Sequence, residues 1–496
     1  MPAFEFSGRR SPGRRRCCCF FTVFLLIIII IIPSARGAGE GVIRVNYKFS
    51  GSERTLTALS AHDDMRHLRF LSGVDLPIGG TGRPDSVGLY YAKIGIGTPA
   101  LDYYVQVDTG SDIMWVNCIG CTECPRRGYH GMELSFYNPK DSLTGQLILC
   151  NQKFCKDMLR DTVASCYGNT SCYYTEVYGD GSYSMGYFVK DIVQYDQVSG
   201  DLQTKSSNGS VIFGCGATES DDLSSSDDAL DGVIGFGKSN SSMISQLASS
   251  GRVRKMFAHC LDGVNGGGIF AIGHVVEPKV TMTPLILNQS HYNVNMTAVR
   301  VGREFLNLST YLYMDGDNRG AIIDSGTTLA YLPEVIYHQL VKKILSWQPG
   351  LKLRTVNDEY TCFKFSESVD DGFPPVTLYF QNSLTLNVTP QEYLFPYDDL
   401  FCIGWQNSGI QSRDRKNITL LGDLVLSNKL VLYDLENQAI GWTEYNCSSS
   451  IELKDEITGS VHLVGAHSIS FGSTLRVNMC LIFFLLSSFF LQNVVC

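Results

Sequence analysis

The sequence predicts an all-β protein with two similar β lobes and few short helices. Two stretches carry this prediction, Val105–Ser111 (VQVDTGS) and Ala321–Thr328 (AIIDSGTT). Each is an apolar, strand-like run that ends in Asp, a small hydroxyl residue and Gly. A second pattern, two apolar residues followed by Gly, comes after each stretch, at Val233–Gly235 and at Leu420–Gly422. Such a weak internal repeat is typical of a duplicated lobe.

The two Asp turns are the candidate catalytic elements. Asp108 and Asp324 lie 216 positions apart, one in each half of the chain body. A strand that stops at Asp-Thr/Ser-Gly places a carboxylate on a tight turn, where Gly accommodates backbone angles that other residues resist. Two such carboxylates face to face share one proton, so one serves as a base and the other as an acid. Either turn alone is more simply a strand end, and it is the matching pair that favours a dyad.

On these motifs the chain resembles the pepsin-like aspartic proteases over roughly residues 88–447, with two six-stranded-type lobes and a catalytic cleft between them. More narrowly it resembles the plant nepenthesin-type branch and its GPI-anchored group. The resemblance implies an aspartic endopeptidase with an acidic optimum, polypeptide substrates and no cofactor or metal. It implies that Asp108 and Asp324 are catalytic and that the residues beside them support the dyad, namely Thr109, Gly110, Ser111, Ser325, Gly326 and Thr327.

The resemblance also assigns roles to the hydroxyl residues of the two turns. Thr109 and Ser325 are expected to brace the turns beneath the carboxylates, and Ser111 and Thr327 to hydrogen-bond the outer carboxyl oxygens. Ser325 stands where the commonest family pattern has Thr, and it still supplies a hydroxyl.

A hairpin tip is predicted within Glu176–Gly186, because Gly-Asp-Gly stands there between β-forming residues. By the resemblance this hairpin is the flap, which closes over the substrate and excludes water. Tyr178, Gly179 and Asp180 are then the substrate-facing residues, and Trp115 lines the cleft wall. Without the two Asp turns, the same hairpin is an ordinary surface feature.

The net charge and the absence of certain motifs argue against several classes of function. The net charge is −9, and because the first 37 residues carry six Arg and one Glu, the remainder carries −14. An acidic body argues against nucleic acid as a partner. A Gly-x-Ser-x-Gly motif is absent, and the Gly-rich run at Gly263–Gly268 lacks the Lys of a phosphate-binding loop.

The 17 cysteines predict a disulfide framework. Five of them lie in the terminal apolar segments, which leaves an even number between Cys118 and Cys447 for up to six bridges. Cys362 is expected to pair with Cys402, and Cys447 with an earlier cysteine. Zinc is the alternative for the close spacing at the start of the Cys-rich insert, which by resemblance spans residues 118–172. The twelve candidates are Cys118, Cys121, Cys124, Cys150, Cys155, Cys166, Cys172, Cys215, Cys260, Cys362, Cys402 and Cys447.

Both ends of the chain carry targeting signals. Basic residues, the apolar run Cys17–Ile32 and small residues predict a signal peptide over residues 1–37, with a retained anchor as the alternative. The apolar block Met479–Leu491 is short for a membrane span. With the small residues before it, it predicts a GPI-anchor signal rather than a transmembrane or membrane-associated tail.

These signals give the expected domain order. Residues 38–86 form a propeptide by resemblance, and Gly79–Pro84 within them reads as a linker. The N-terminal lobe spans 87–280, the C-terminal lobe 281–447, and a polar spacer with the anchor signal 448–496. Smaller expectations are helices over Asn240–Leu247 and Pro333–Ile344 and a solvated acidic loop over Glu219–Asp228.

Nine Asn-x-Ser/Thr sequons support passage through the secretory pathway. The expected location is the extracellular face of the plasma membrane, through a lipid anchor, with a secreted or vacuolar protein as the alternative. A monomer is expected. The rival functions are a catalytically silent pepsin-like binding or inhibitor protein and a membrane-held receptor or adhesion protein. The sequons are at Asn169, Asn208, Asn240, Asn288, Asn295, Asn307, Asn387, Asn417 and Asn446.

Overall fold

The computed structural model describes residues 73–84, 89–158, 166, 168–220, 223, 229–308, 320–357, 359–411 and 417–469. The predicted signal peptide, most of the propeptide and the GPI-anchor block lie outside these residues. Among the described residues, no helix has the length and apolarity needed to cross a membrane.

Strands from both halves of the chain form one 15-stranded sheet. In spatial order its main path is Thr281–Pro284, Ala439–Glu444, Lys429–Asp434, Met256–Leu261, Gly268–Ile272, Val74–Asp75, Tyr183–Gly200, Gln203–Glu219, Trp115–Asn117, Gly232–Gly235, Leu101–Asp108, Leu89–Ile96 and Ile78–Thr81. Two more strands, Gln146–Leu147 and Tyr173–Val177, pair with Tyr183–Gly200.

Four smaller sheets complete the architecture. The first, with five strands, has the order Asn293–Val294, Ala321–Ile323, Thr419–Leu421, Ala330–Leu332 and Trp405–Asn407. Two four-stranded sheets are Glu304–Phe305, Met296–Val301, Val376–Phe380 and Thr385–Val388, and Arg354–Val356, Tyr360–Phe363, Leu400–Ile403 and Leu394–Tyr397. A three-stranded sheet is formed by His274–Glu277, Ser450–Lys454 and Val461–Gly465. The all-β prediction is confirmed.

Helices are short in the described part of the chain. Helix Met243–Ser249 begins after Ser242, three residues later than the sequence indicated. The amphipathic helix Glu334–Leu345 follows Pro333 and buries Ile336, Leu340 and Ile344, in keeping with its 3.6-residue period. The other α-helices are Lys153–Met158, Val369–Gly372, Ser408–Gln411 and Asp423–Leu426, and the 3-10 turns are Tyr129–Gly131, Gln381–Ser383 and Pro390–Glu392.

Two strands form within the segment that is predicted to be the propeptide. Val74–Asp75 pairs with both Gly268–Ile272 and Tyr183–Gly200, and Ile78–Thr81 pairs with Leu89–Ile96. The side chains of Val74 and Ile78 are buried. The strands have only two and four residues, and the second contains two Gly, so they carry no periodic signal. The larger sheet gives them their conformation.

Part of the segment that is predicted to be a polar spacer after Cys447 forms two strands. Strands Ser450–Lys454 and Val461–Gly465 form a hairpin that pairs with His274–Glu277. Beyond the hairpin, the His467 imidazole lies 2.8 Å from the Asp75 carboxylate, so this segment contacts the first strand of the sheet. The polar residues of the hairpin alternate with Ile451 and Leu453, which are buried.

The prediction of a solvated acidic loop over Glu219–Asp228 is wrong for its first residue. Glu219 ends the strand Gln203–Glu219 and is only 3 % exposed, beside Asn117. Residues 221–222 and 224–228 of that tract lie outside the described part.

All twelve candidate cysteines form disulfides in the structure, and the sulfurs considered for zinc are among them. The expected pair Cys362–Cys402 is formed, and Cys447 is bonded to Cys260. The six bridges are Cys118–Cys215, Cys121–Cys124, Cys150–Cys166, Cys155–Cys172, Cys260–Cys447 and Cys362–Cys402.

Two of these bridges should differ sharply in their effect on stability. Cys260–Cys447 closes a loop of 187 residues and Cys121–Cys124 one of 3 residues. By loop-closure entropy, replacing the first pair with Ser should lower the free energy of unfolding by about 5 kcal/mol, and replacing the second by about 1–2 kcal/mol. Denaturant unfolding of both double variants measures the difference, and equal losses would contradict the argument.

Candidate active site at the two Asp turns

The two Asp turns are held by equivalent strands. Gly232–Gly235 pairs in parallel with Leu101–Asp108, with Ile234 opposite Val107. In the second half, Thr419–Leu421 pairs in parallel with Ala321–Ile323. Both apolar-apolar-Gly patterns therefore run beside an Asp turn. Each Asp backbone is fixed by its neighbour, because Phe236 N donates to Asp108 O at 2.7 Å and Asp324 N donates to Leu421 O at 3.1 Å.

The hydrogen bonds around the two carboxylates are nearly symmetric. Asp108 Oδ1 accepts from Gly110 N at 2.7 Å, and Asp108 Oδ2 accepts from Ser111 Oγ at 2.5 Å. Asp324 Oδ1 accepts from Gly326 N at 2.8 Å, and Asp324 Oδ2 accepts from Thr327 Oγ1 at 2.7 Å. These bonds orient both carboxyl groups before any substrate arrives.

Each carboxylate lies against the glycine of the opposite turn. A Cβ added at Gly110 would stand 2.6 Å from both Asp324 carboxylate oxygens, and one added at Gly326 would stand 2.1 Å from Asp108 Oδ1. Neither glycine has a positive φ. The expectation that these glycines serve backbone angles is therefore wrong, and their role is to permit close approach of the two turns.

The turns also contact each other directly. Ser325 N donates to Thr109 Oγ1 at 2.8 Å, and Ser325 Oγ donates to Val107 O at 3.4 Å. Gln106 Nε2 donates to Gly326 O at 3.2 Å. This contact holds the carboxylates in a fixed relation.

Burial and repulsion from the Asp324 carboxylate raise the pKa of the Asp108 carboxyl. Asp108 and Asp324 are 5 % and 7 % exposed. Desolvation, and then the neighbouring Asp324 carboxylate, raises the pKa of Asp108 to about 7, although the bonds from Ser111 and Gly110 oppose this. The pair thus holds one proton up to nearly neutral pH, which gives it one acid and one base.

The predicted flap is a hairpin of Tyr173–Val177 and Tyr183–Gly200. At its tip Tyr178 N donates to Ser182 O, and the Asp180 carboxylate accepts from Ser182 N at 2.8 Å. Gly179 and Asp180 are exposed. The indole of the buried Trp115 donates from Nε1 to the Tyr178 hydroxyl at 2.6 Å. The Asp108 carboxylate is a secondary cause, after burial, of the raised pKa of Tyr178, so this phenol lies within electrostatic reach of the dyad.

Sequence reasoning missed a third carboxyl group beside the dyad. Asp423 begins the helix Asp423–Leu426, directly after the second apolar-apolar-Gly pattern, and is 1 % exposed. Neither of its carboxyl oxygens has a hydrogen-bond partner among the described residues. Burial, and then the charges of Asp324 and Asp108, raises its pKa well above the ordinary range. The Asp423 carboxyl therefore keeps its proton to a higher pH than an ordinary Asp carboxyl does.

Asp423→Asn should stabilise the protein at neutral pH only. Below pH about 4 the Asp423 carboxyl is neutral in both the folded and the unfolded chain. Above that pH the unfolded carboxyl ionises while the folded one does not, so the wild type loses stability and the Asn variant does not. Thermal unfolding should show a Tm several degrees higher for the variant at pH 7.5 and no difference at pH 3.5. A difference of equal size at both pH values would contradict this.

Most of the predicted N-glycosylation sites lie at the surface. Eight of the nine sequon asparagines are exposed and Asn295 is half-buried.

A further contact that sequence reasoning missed joins the second half of the chain to the first Asp turn. The His291 Nδ1 atom lies 2.9 Å from the Gly110 carbonyl oxygen.

Family models match both halves of the chain, and related proteins are similar over most of its length. Residues 90–274 match the model described as Xylanase inhibitor N-terminal, and residues 291–444 match Xylanase inhibitor C-terminal. The chain is 47% identical over 433 residues to Aspartic proteinase 36 of Arabidopsis thaliana, covering 87% of this chain and 89% of the relative. Over 430 residues it is 46% identical to Aspartic proteinase 39 of the same plant, covering 86% and 89% of the two chains.

More distant relatives share the fold. The chain is 28% identical over 400 residues to Aspartic proteinase nepenthesin-2 of Nepenthes gracilis, covering 77% of this chain and 82% of the relative. Among solved structures it is similar to edgp, with a TM-score of 0.60 and 19% identity over 76% of this chain and 95% of that one. It is also similar to conglutin gamma, a basic 7S globulin from lupine seeds, with a TM-score of 0.59 and 19% identity over 76% and 96% of the chains.

Proposed function

The chain belongs to the pepsin-like family of aspartic proteases, and on that premise we propose that it is an active endopeptidase that hydrolyses peptide bonds through a water molecule held between Asp108 and Asp324. The observation that carries this proposal is the symmetric pair of oriented, buried carboxylates that face each other across two glycines.

The proposed chemistry has no covalent intermediate. The ionised carboxylate takes a proton from the water as the water oxygen attacks the substrate carbonyl carbon. The protonated carboxyl gives its proton to the carbonyl oxygen. When the resulting tetrahedral gem-diol collapses and its C–N bond breaks, the carboxyl that took the proton from water gives it to the leaving amine nitrogen. One diol hydroxyl returns its proton to the other carboxylate as the carboxylic acid product forms, so the pair regains its single proton. The bonds from Ser111 and Thr327 keep the carboxyl groups oriented through both steps.

Because the chemistry requires one proton on the pair, activity should be highest in acid. The raised pKa of Asp108, about 7, sets the upper limit. As the pH rises through that value the pair loses its proton and with it the acid. An optimum on the alkaline side would contradict the mechanism.

The flap should contribute through Tyr178. Tyr178→Phe removes the acceptor of the Trp115 indole N–H, so the flap loses its attachment above the dyad. We expect kcat/KM to fall by roughly 10- to 100-fold with little change in Tm. Tyr173→Phe is the matched control, since Tyr173 lies on the same hairpin with its side chain 64% exposed. Equal loss in both variants would argue against this role of Tyr178.

The name of the matching family models supports a second candidate function, a catalytically silent binding or inhibitor protein. The two functions differ in one experiment. The purified chain is incubated in acid with a denatured protein, with Asp324→Asn as the blank, and the products are identified by mass spectrometry. New peptide termini that appear only with the wild type support the endopeptidase, and their absence supports the binding protein.

We further propose that the protein is an N-glycosylated monomer of the nepenthesin-type branch, held at the extracellular face of the plasma membrane by a GPI anchor. The support is the signal-peptide pattern, the terminal apolar block and the exposure of eight sequon asparagines. Treatment of membranes with a phosphatidylinositol-specific phospholipase should release the protein into solution. Retention in the membrane would favour a transmembrane tail.

A further inference from the structure

A segment from the second half of the chain holds the first Asp turn, and the proposed chemistry does not use it. His291 is half-buried, and its Nδ1 atom lies 2.9 Å from Gly110 O. Gly110 O can only accept a hydrogen bond, so Nδ1 carries the hydrogen whether the ring is neutral or protonated. The imidazole is therefore a donor to the backbone of the turn that contains Asp108.

Two further contacts fix the position of His291. The hydroxyl of the buried Tyr292 donates to Phe236 O at 2.6 Å, and Phe236 N donates to Asp108 O at 2.7 Å. Lys238 Nζ donates to His291 O at 3.1 Å. The residue and its neighbour are thus tied to the loop that contains Phe236 and Lys238, and this restrains the imidazole.

Gly110 contacts both carboxyl groups of the pair. Its N–H donates to Asp108 Oδ1 at 2.7 Å, and a Cβ added to it would stand 2.6 Å from both Asp324 carboxylate oxygens. A displacement of Gly110 therefore changes the spacing of the pair. The carbonyl of this same residue is the group that His291 holds.

The Gly110 carbonyl is also linked to Asp108 through one peptide group. That carbonyl shares a rigid peptide plane with the N–H of Ser111, which donates to Asp108 Oδ1 at 3.2 Å. A peptide that accepts a hydrogen bond at its oxygen is polarised, and its N–H becomes a stronger donor. A continuous line of two hydrogen bonds and one peptide plane thus joins the His291 imidazole to the Asp108 carboxyl.

We propose that His291 is a positioning residue that fixes Gly110 by its carbonyl and directs the Ser111 N–H at Asp108, so that the two carboxyl groups keep their catalytic spacing. It extends the site beyond the motif residues of the turns to a side chain 181 positions from Gly110. This inference rests on the proposed function for its catalytic consequence but not for its structural one.

The charged groups near the imidazole belong to the same region. The Asp112 carboxyl accepts a bond from Ser239 N at 2.8 Å and lies within electrostatic reach of His291, Lys238 and Lys255. Burial raises the pKa of Asp112, and the bond from Ser239 and the three basic groups oppose this rise. Protonation of the imidazole makes its bond to the turn charge-assisted and stronger.

The test uses the full chain and three variants. His291→Leu removes the donor and keeps an apolar side chain of intermediate size. His291→Asn places an amide N–H near the position of Nδ1 and serves as the rescue variant. His274→Leu is the matched control, because His274 is also half-buried and its Nδ1 lies 2.7 Å from the Glu456 carboxylate, on the sheet of the C-terminal hairpin.

We expect kcat to fall about tenfold in His291→Leu with KM little changed, because the carboxyl groups are displaced. His291→Asn should recover most of kcat, and His274→Leu should stay within twofold of the wild type. If His291→Leu and His291→Asn lose kcat equally, or if kcat falls only in proportion to Tm in all three variants, the donor has no positioning role and the inference is overturned.

The pH profile gives a readout that a loss of stability alone does not move. The bond from Ser111 N is one of those that lower the pKa of Asp108. A weaker bond lets the pair hold its shared proton to a higher pH. The alkaline fall of kcat should therefore move upward in His291→Leu and stay in place in His274→Leu, and a fall at the same pH in both variants would contradict the link to Asp108.

Hydrogen exchange tests the structural part without the need for activity. At pH 5, mass spectrometry of a peptide that contains Gly110 and Ser111 should show several-fold faster amide exchange in His291→Leu than in the wild type, His291→Asn or His274→Leu. Unchanged exchange would overturn the inference even if the wild type is active. If the wild type is inactive, the proposed function fails, and the exchange result alone decides the role of His291.

Discussion

Replacing Asp108 with Asn should reduce peptide hydrolysis by at least about a thousandfold, the scale expected when an acid–base pair loses one member and its oriented charge. Asn keeps the shape of the side chain. Its Oδ1 can still accept the bond from Gly110 N, which is 2.7 Å long to Asp108, and its Nδ2 can donate to Ser111 Oγ in place of the 2.5 Å bond that Asp108 Oδ2 accepts. It cannot exchange a proton with a water molecule. The loss should appear in kcat, with KM little changed.

The substitution should not unfold the protein. Since burial raises the pKa of Asp108 to about 7, a neutral Asn removes a charge that costs folding energy near neutral pH. The Tm at pH 7 should therefore be equal or higher. Asp191→Asn is the control, because Asp191 is a buried carboxylate of the same lobe that accepts a bond from the Tyr137 hydroxyl at 2.6 Å. Asp191→Asn at the same Tm should keep activity within a few-fold, and equal inactivity of both variants would remove the case for a dyad.

The folded protein should be far more stable at pH 4.5 than at pH 8. Burial raises the pKa of several carboxyls above the unfolded value of about 4. The values are about 7 for Asp108 and Glu176, about 8 for Glu219 and about 6 for Asp231. Asp423 is raised further.

The sign of the effect follows from proton binding. Below pH about 4 these carboxyls are neutral in both states, so they cost nothing. As the pH rises from 4 toward 8 the unfolded chain releases their protons while the folded chain retains them, and stability falls. At 1.36 kcal/mol per pKa unit, Asp108 alone costs about 4 kcal/mol and Glu219 about 5 kcal/mol by pH 8. These are large fractions of a typical folding free energy.

Differential scanning calorimetry should show a Tm at least about 10 °C lower at pH 8 than at pH 4.5. The variants Glu219→Gln and Asp423→Asn should each flatten this dependence while leaving the acid value unchanged. The lowered pKa values of the surface acids Asp399 and Glu436 act in the opposite direction and fall below this pH window. A Tm that is constant or rises up to pH 8 would show that the buried carboxyls ionise in the folded state.

The parts of the fold that the sequence predicted correctly depend on local patterns. The strands Leu101–Asp108 and Ala321–Ile323 are apolar runs that end at turn-forming residues, and Glu334–Leu345 repeats its apolar residues at helical spacing. The tip of the flap is set by Gly-Asp-Gly. In each case the signal lies within a dozen residues.

The errors occur where conformation is set by distant contacts. Ile78–Thr81 has only four residues, two of them Gly, and becomes a strand because Leu89–Ile96 offers it hydrogen bonds. In Ser450–Lys454 the apolar residues Ile451 and Leu453 alternate with polar ones, as in a strand. The polar composition of the surrounding segment nevertheless led to the prediction of a spacer. Tertiary context overrides propensity in both segments.

The candidate site also contains residues that a local motif predicts and residues that only the tertiary fold brings together. The residues that bond the carboxylates stand two or three positions from them, so a motif contains them all. His291 and Gly110 are 181 positions apart, and only the tertiary fold brings the His291 imidazole to the first Asp turn. Asp423 directly follows a recognised motif, but its raised pKa comes from burial and from the charges of Asp324 and Asp108, which a sequence does not display.

Asp108 and Asp324 are proposed to act together as a catalytic pair. The most direct measurement is the rate at which the wild type cleaves a denatured protein from pH 2 to pH 8, with Asp108→Asn run beside it as the blank. The expected result is a maximum in acid and a fall through about pH 7, as the pair loses its shared proton. A wild type that equals the blank at every pH, with its fold, disulfides and N-terminal processing intact, would contradict the claim and leave a binding protein on a protease fold.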